Sequence, residues 1–90
     1  MDKLKVAIAG FGIVGKRRFQ YIKEHPSLNV TAICEQNSFK KSLEYSEINC
    51  YKNYKDLLSQ EDLDVIFICL TNNIAAEVTI NSLKKGLHVF

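Results

Sequence analysis

A chain of 90 residues and 10.3 kDa has room for one domain. By the usual surface scaling it leaves about 5,400 Å² exposed of about 15,000 Å² when unfolded, enough burial for a core without metal or disulfide staples. The apolar fraction of 47% and charged fraction of 24% are those of an ordinary globule. A net charge of +2 gives no argument for a nucleic acid or a membrane surface as partner. The longest apolar run, Val65 to Leu70, falls far short of the ~20 residues of a bilayer span. Gly10 and Gly12 interrupt the only early apolar stretch, so no secretory pattern is expected and a cytoplasmic location is.

Strand and helix signals alternate along the chain. Leu4 to Ala9 reads as a strand running into Gly10, and Gly12 to His25 as a helix ended by Pro26. Leu28 to Cys34 reads as a second strand. Ser38 to Ser46 is expected as a short helix with Ser38 as its N-cap, followed by a weak strand at Asn49 to Tyr51. Tyr54 to Ser59 forms a further short helix with Leu57 and Leu58 as its buried pair. The strongest strand is Val65 to Leu70. The last helix spans Asn73 to Lys85, with Ala76, Ile80 and Leu83 expected on its buried stripe and Gly86 as its stop. Leu87 to Phe90 closes the chain as a short strand.

Continuous apolar strands alternating with helices indicate an α/β fold whose parallel sheet is covered on both faces. Right-handed crossovers restrict this to a Rossmann-type, doubly wound open sheet with the expected strand order 3-2-1-4-5. The whole of residues 1–90 reads as one unit of this kind.

The first turn carries the chemistry. Gly10-Phe11-Gly12-Ile13-Val14-Gly15 spells G-x-G-x-x-G, with a strand directly before it and a helix directly after. Gly10 permits the tight turn, and Gly12 lets the backbone approach a pyrophosphate seated on the helix N-terminus. Gly15 lets the helix lie close on the sheet, and Phe19 and Ile22 share its stripe. Glu35, twenty positions past Gly15 at the end of the second strand, is placed to accept hydrogen bonds from adenosine ribose hydroxyls. Its charge repels a 2′-phosphate, and Gln36 and Asn37 beside it are uncharged. The expected cofactor is therefore NAD rather than NADP. Arg17 and Arg18 sit against the helix dipole, where an anionic neighbour would relieve them.

A second site signal lies at the end of Val65 to Leu70, where doubly wound sheets bind ligands beside the switch in strand order. Leu70, Thr71 and Asn72 occupy that place, and Asn73 serves as the N-cap of the following helix. Cys34, Cys50 and Cys69 show no metal-ligand spacing and read as reduced, buried thiols. His25 and His88 lack an acidic or thiol partner at useful spacing and are not expected to be catalytic.

The ordered set resembles the N-terminal segment of the glucose–fructose oxidoreductase, inositol dehydrogenase and rhizopine-catabolism (Gfo/Idh/MocA) oxidoreductases. The resemblance rests on the opening strand with Gly10, Gly12 and Gly15, on "ICE" at Ile33 to Glu35 and on "YKDLL" at Tyr54 to Leu58. It continues through "LDVIFIC" at Leu63 to Cys69 to "KKGLHVF" at Lys84 to Phe90. It implies hydride transfer between NAD or NADP and a hydroxyl-bearing carbon of a sugar, cyclitol or nucleotide sugar. It also implies that Phe11, Ile13 and Val14 belong to the loop over the pyrophosphate. Glu35 stands where members often have Asp. Of the T-P-N-x-x-H segment common in members, only Asn72 is retained, with Leu70, Thr71 and Ala75 at the other positions. Members continue past "HVF" into a Glu-Lys-Pro segment and a second domain that supplies the acid–base pair. On this reading the 90-residue chain binds dinucleotide without turning over. A stand-alone NAD-sensing module is the alternative, and the exposed edge of the last strand would favour pairing between copies.

Overall fold

The computed structural model describes residues 3–37, 45–71 and 73–90. The element order is β1 (Leu4–Ala9), α1 (Ile13–Glu24), β2 (Leu28–Cys34), β3 (Asn49–Tyr51), α2 (Tyr54–Gln60), β4 (Val65–Ile68), α3 (Ile74–Lys84) and β5 (His88–Val89). The five strands form one parallel sheet in the order β3-β2-β1-β4-β5, as the crossover rule requires. The sequence-expected helix over Ser38 to Ser46, with its Ser38 cap, lies for the most part outside the described residues.

Side chains alternate across β1 and so divide the core in two. Val6 and Ile8 face α1 and pack with Phe19, Ile22 and Val65. Ala7 and Ala9 face the other way, against Leu57 and Leu58 of α2 and Val78 of α3. The small residues on that second face let α2 and α3 sit close to the sheet. Gly15, Phe19 and Ile22 are the buried residues of α1, as their spacing predicts. The helix stops where the His25 amide bonds back to the Ile22 carbonyl ahead of Pro26.

β2 is not a regular strand. Val6 pairs with Val30 and Ala7 with Ala32, so Thr31 is an extra residue bulged out of the ladder. The bulge reverses the phase of the strand: Val30 and Ile33 both face α1, while Ala32 and Cys34 face α2. An unbulged strand would have put Val30 and Ala32 on one face. The Thr31 hydroxyl is buried and has no hydrogen-bond partner among the described residues.

Helix α3 departs from the sequence reading. Its buried residues are Val78 and Ser82, with Ile74 half-buried, whereas Ala76 is exposed and Ile80 and Leu83 are 53% and 57% exposed. Ser82 is fully buried because its hydroxyl donates to the Val78 carbonyl at 2.7 Å, which satisfies its polarity within the helix. The expected stripe followed the large apolar residues and so passed over this serine. Asn73 stands at the N-cap position but has helical backbone angles and makes no side-chain cap bond. β4 ends at Ile68 and β5 covers only His88–Val89, both shorter than expected. The total exposed area, 6010 Å², exceeds the scaling value, and the open side of α3 with Phe90 at 70% exposure belongs to that excess.

Candidate functional site

The cleft lies at the carboxyl ends of β1 and β4, where the strand order changes direction, and encloses about 560 Å³. Its floor is the turn from β1 into α1. Gly10 has φ +94°, a region closed to most side chains, and a Cβ there would lie 2.6 Å from the Cys69 carbonyl oxygen. The Gly10 amide donates to the Cys34 carbonyl at 2.8 Å and the Cys69 amide to the Ala9 carbonyl at 2.7 Å. The turn is therefore held between the ends of β2 and β4. At Gly12 a Cβ would meet nothing within 4 Å, because the cleft itself lies beyond it.

The amides of the turn divide into two groups. The first bond inside α1 runs from the Lys16 amide to the Gly12 carbonyl at 3.0 Å. The amides of Gly12, Ile13, Val14 and Gly15 thus have no acceptor among the described residues. No acidic residue lies in the first turn of α1, and Gly12 offers no side-chain cap. This end of the helix turns the positive pole of its dipole toward a cleft that Gly12, Ile13 and Val14 line. The Phe11 amide, by contrast, donates to Glu35 Oε1 at 2.8 Å. Oε2 of the same carboxylate accepts from the Asn37 amide at 2.9 Å, and the Glu35 amide donates to the Tyr51 carbonyl at 2.8 Å.

Glu35, Leu70 and Thr71 line the cleft with the glycine turn, and Asn72 lies outside the described residues. The Phe11 side chain does not line it. At 2% exposure it packs edge-on against Phe19 and Tyr45, so its part in the turn is played by its backbone. Gly15 is buried under the turn. Arg17 and Arg18 are exposed, and Arg18 lies near enough to Cys69 to oppose electrostatically the rise that burial causes in its thiol pKa.

The sequence reading missed one wall. Lys52 and Asn53 come to the cleft from the β3–α2 connection, Tyr54 from the start of α2, and Ile74 and Glu77 from α3. Asn53 caps α2, its side-chain oxygen accepting from the Lys55 amide at 2.7 Å. The parallel register of β3 with β2 was the available signal, because it brings the residues after Tyr51 level with those after Cys34. Burial and the nearby Glu77 carboxylate raise the Tyr54 hydroxyl pKa above its ordinary value. Burial, then the charges of Glu35 and Asp56, raise that of the Cys34 thiol to about 11. Cys34 is buried and Cys69 half-buried, but Cys50 is exposed, which corrects the expectation that all three thiols are buried. Among the described residues no group of three His, Cys, Asp or Glu could hold a metal, and no helix is long and apolar enough to cross a membrane.

The donor set suits a dinucleotide: unpaired amides at a helix N-terminus for the pyrophosphate, open space over Gly12, and a carboxylate at the end of β2 for ribose hydroxyls. These features define a dinucleotide-binding Rossmann unit. The family comparison specifies which one. Residues 4–90 match the Gfo/Idh/MocA oxidoreductase family, NAD-binding Rossmann fold, and the chain belongs to that family. It is 32% identical over 91 residues to the uncharacterized oxidoreductase YrbE of Bacillus subtilis, covering 98% of this chain and 27% of the relative. The crystal structure of myo-inositol 2-dehydrogenase from Lactobacillus plantarum superposes with a TM-score of 0.87 at 30% identity, over 99% of this chain and 27% of that one. Scyllo-inositol dehydrogenase from Lactobacillus casei, solved with bound cofactor NAD(H) and scyllo-inositol, has a TM-score of 0.88 at 20% identity. It matches 99% of this chain and 27% of its own, and shows the shared fold. The chain thus spans about a quarter of the length of the relatives it matches.

Proposed function

We propose that residues 1–90 form the NAD-binding part of a cytoplasmic dehydrogenase that moves a hydride between the nicotinamide and a hydroxyl-bearing carbon of a sugar, cyclitol or nucleotide sugar. The observation that carries this reading is the row of unpaired amides at Gly12 to Gly15 beside the Glu35 carboxylate, in one cleft. Gly10 and Gly15 shape the turn, with Phe11 contributing its amide. Gly12, Ile13 and Val14 present backbone to the pyrophosphate, and Glu35 accepts from the adenosine ribose. Leu70 and Thr71 line the cleft on the side assigned to the half of the cofactor that reacts, and Asn72, outside the described residues, is assigned to the same half by its motif position. NAD would supply the hydride acceptor when bound, and the residues of this chain would bind and orient it. The name of the myo-inositol 2-dehydrogenase that it resembles at 30% identity supports a polyol as the substrate class.

Calorimetry with NAD and with NADP, on this chain and on Glu35→Ala, tests the cofactor assignment. NAD should bind weakly and more tightly than NADP, and the substitution should weaken NAD and narrow the difference. Equal affinity of the unaltered chain for both cofactors would remove the role given to Glu35.

A further inference from the structure

Glu35 does something in the cofactor-free protein that ribose binding does not require. Its Oε1 accepts the Phe11 amide at 2.8 Å across a sequence separation of 24 residues, while Oε2 accepts the Asn37 amide at 2.9 Å. One carboxylate thereby ties the second residue of the glycine turn to the end of β2 and to the bend that follows it. Phe11 is the only residue of the segment 11–14 whose side chain is buried, fixed between Phe19 and Tyr45. Its amide is therefore held from both sides, by ring packing and by the carboxylate. The Gly10 amide goes to the Cys34 carbonyl. The chain thus satisfies the first two amides of the turn itself and leaves those of Gly12 to Gly15 open.

We propose that Glu35 is a positioning residue for the glycine turn: through the Phe11 amide it holds the turn in its dinucleotide-receiving shape before any ligand arrives. Glutamate suits this task better than aspartate, whose carboxylate, one methylene shorter on the same strand end, has less reach toward the Phe11 amide. A preordered turn lowers the entropy lost when the pyrophosphate is bound, which is the physical gain of the arrangement. The inference rests on the dinucleotide reading of the cleft for its purpose but not for its test.

The test is made by NMR on the 90-residue chain without cofactor. In a through-hydrogen-bond experiment, the Phe11 amide nitrogen should show scalar coupling to the Glu35 side-chain carboxylate carbon. Amide hydrogen exchange at Phe11 should accelerate about tenfold or more in Glu35→Ala and in Glu35→Asp, as expected for loss of a hydrogen bond to a charged acceptor. Glu35→Gln keeps an acceptor oxygen at the same reach and should stay within about threefold of the unaltered chain. A general loosening of the fold would speed exchange at Ile8 and Ile33 as well, so those two amides must stay unchanged. Absence of the coupling in the unaltered chain overturns the proposal, as does unchanged Phe11 exchange in the Ala and Asp variants. NAD added afterwards separates the two readings. Coupling without NAD binding keeps the positioning role and removes the cofactor assignment; NAD binding without coupling does the reverse.

Discussion

A Cβ placed on Gly15 would lie 2.1 Å from the carbonyl oxygen of Gly10. The obstacle is backbone rather than a side-chain tip, and Gly10 cannot retreat because its own amide is bonded to Cys34 and its Cα faces the Cys69 carbonyl. Alanine in a helix normally gains up to about 1 kcal/mol over glycine. Overpacking against a fixed backbone costs about 1–3 kcal/mol or more, and here the overlap is severe. Gly15→Ala should therefore lower stability by about 2 kcal/mol in urea unfolding, the reverse of the helix-propensity expectation.

Gly12→Ala separates binding from folding. Its φ of −81° is open to alanine, and the added methyl meets no atom within 4 Å. Unfolding free energy should change by less than about 1 kcal/mol, the modest difference between glycine and alanine at an N-cap. The methyl projects into the space assigned to the pyrophosphate, so NAD affinity should fall by about tenfold or more. Unaltered NAD affinity by calorimetry would show that the phosphates do not lie over Gly12.

The fold was legible because its signals are local and agree with one another: apolar strand runs, a glycine-marked turn and a proline-ended helix. Strand order followed from crossover handedness, and β1 and β2 have the expected limits. What escaped depended on tertiary contacts. The Thr31 bulge has no local marker, since LNVTAIC reads equally well as a plain strand. The buried stripe of α3 turns on Ser82, a polar residue made compatible with burial by bonding within its own helix. The site divided in the same way. Gly10, Gly12, Gly15 and Glu35 were legible because each is tied to a motif position. Tyr54 and Glu77 reach the cleft only through the pairing of β3 with β2 and the seating of α3.

The α3 stripe gives a direct contrast. Val78 is fully buried between α3 and the sheet, and truncation to alanine should cost about 2 kcal/mol. Ile80→Gln and Leu83→Gln together should cost less than about 1 kcal/mol, because both side chains are more than half exposed. Thermal or urea unfolding of the Val78 variant and of the double variant checks the assignment, and a larger loss from the Ile80 and Leu83 pair would restore the stripe expected from periodicity.

Thr31→Val tests the bulge. The threonine hydroxyl is buried without a partner among the described residues, and valine keeps the shape while removing the unsatisfied group. The substitution should raise unfolding free energy by about 1 kcal/mol. A loss of that size would mean that the hydroxyl is hydrogen-bonded in solution.

Alkaline pH acts on the wall of the cleft. The Cys34 thiol is raised from 9.0 to about 11, first by burial and then by the charges of Glu35 and Asp56. Tyr51 is raised from 10.0 to about 12, chiefly by donating its hydroxyl to Glu61. In both, the folded protein holds its proton more tightly than the unfolded chain. Their contribution to stability is therefore complete below about pH 9 and is lost as pH rises through the windows from 9.0 to about 11 and from 10.0 to about 12. Urea midpoints should be level from about pH 7 to about pH 9 with respect to these two groups and fall above that. At pH 8 the Cys34 shift leaves about a hundredfold less thiolate than an unperturbed thiol has, so alkylation by iodoacetamide should be slower by at least that factor. Peptide mapping after timed labelling should show the exposed Cys50 modified long before Cys34. Rapid labelling of Cys34 at pH 8 in folded protein would show that the β2 end is open to solvent, and with it the anchor of the Gly10 amide.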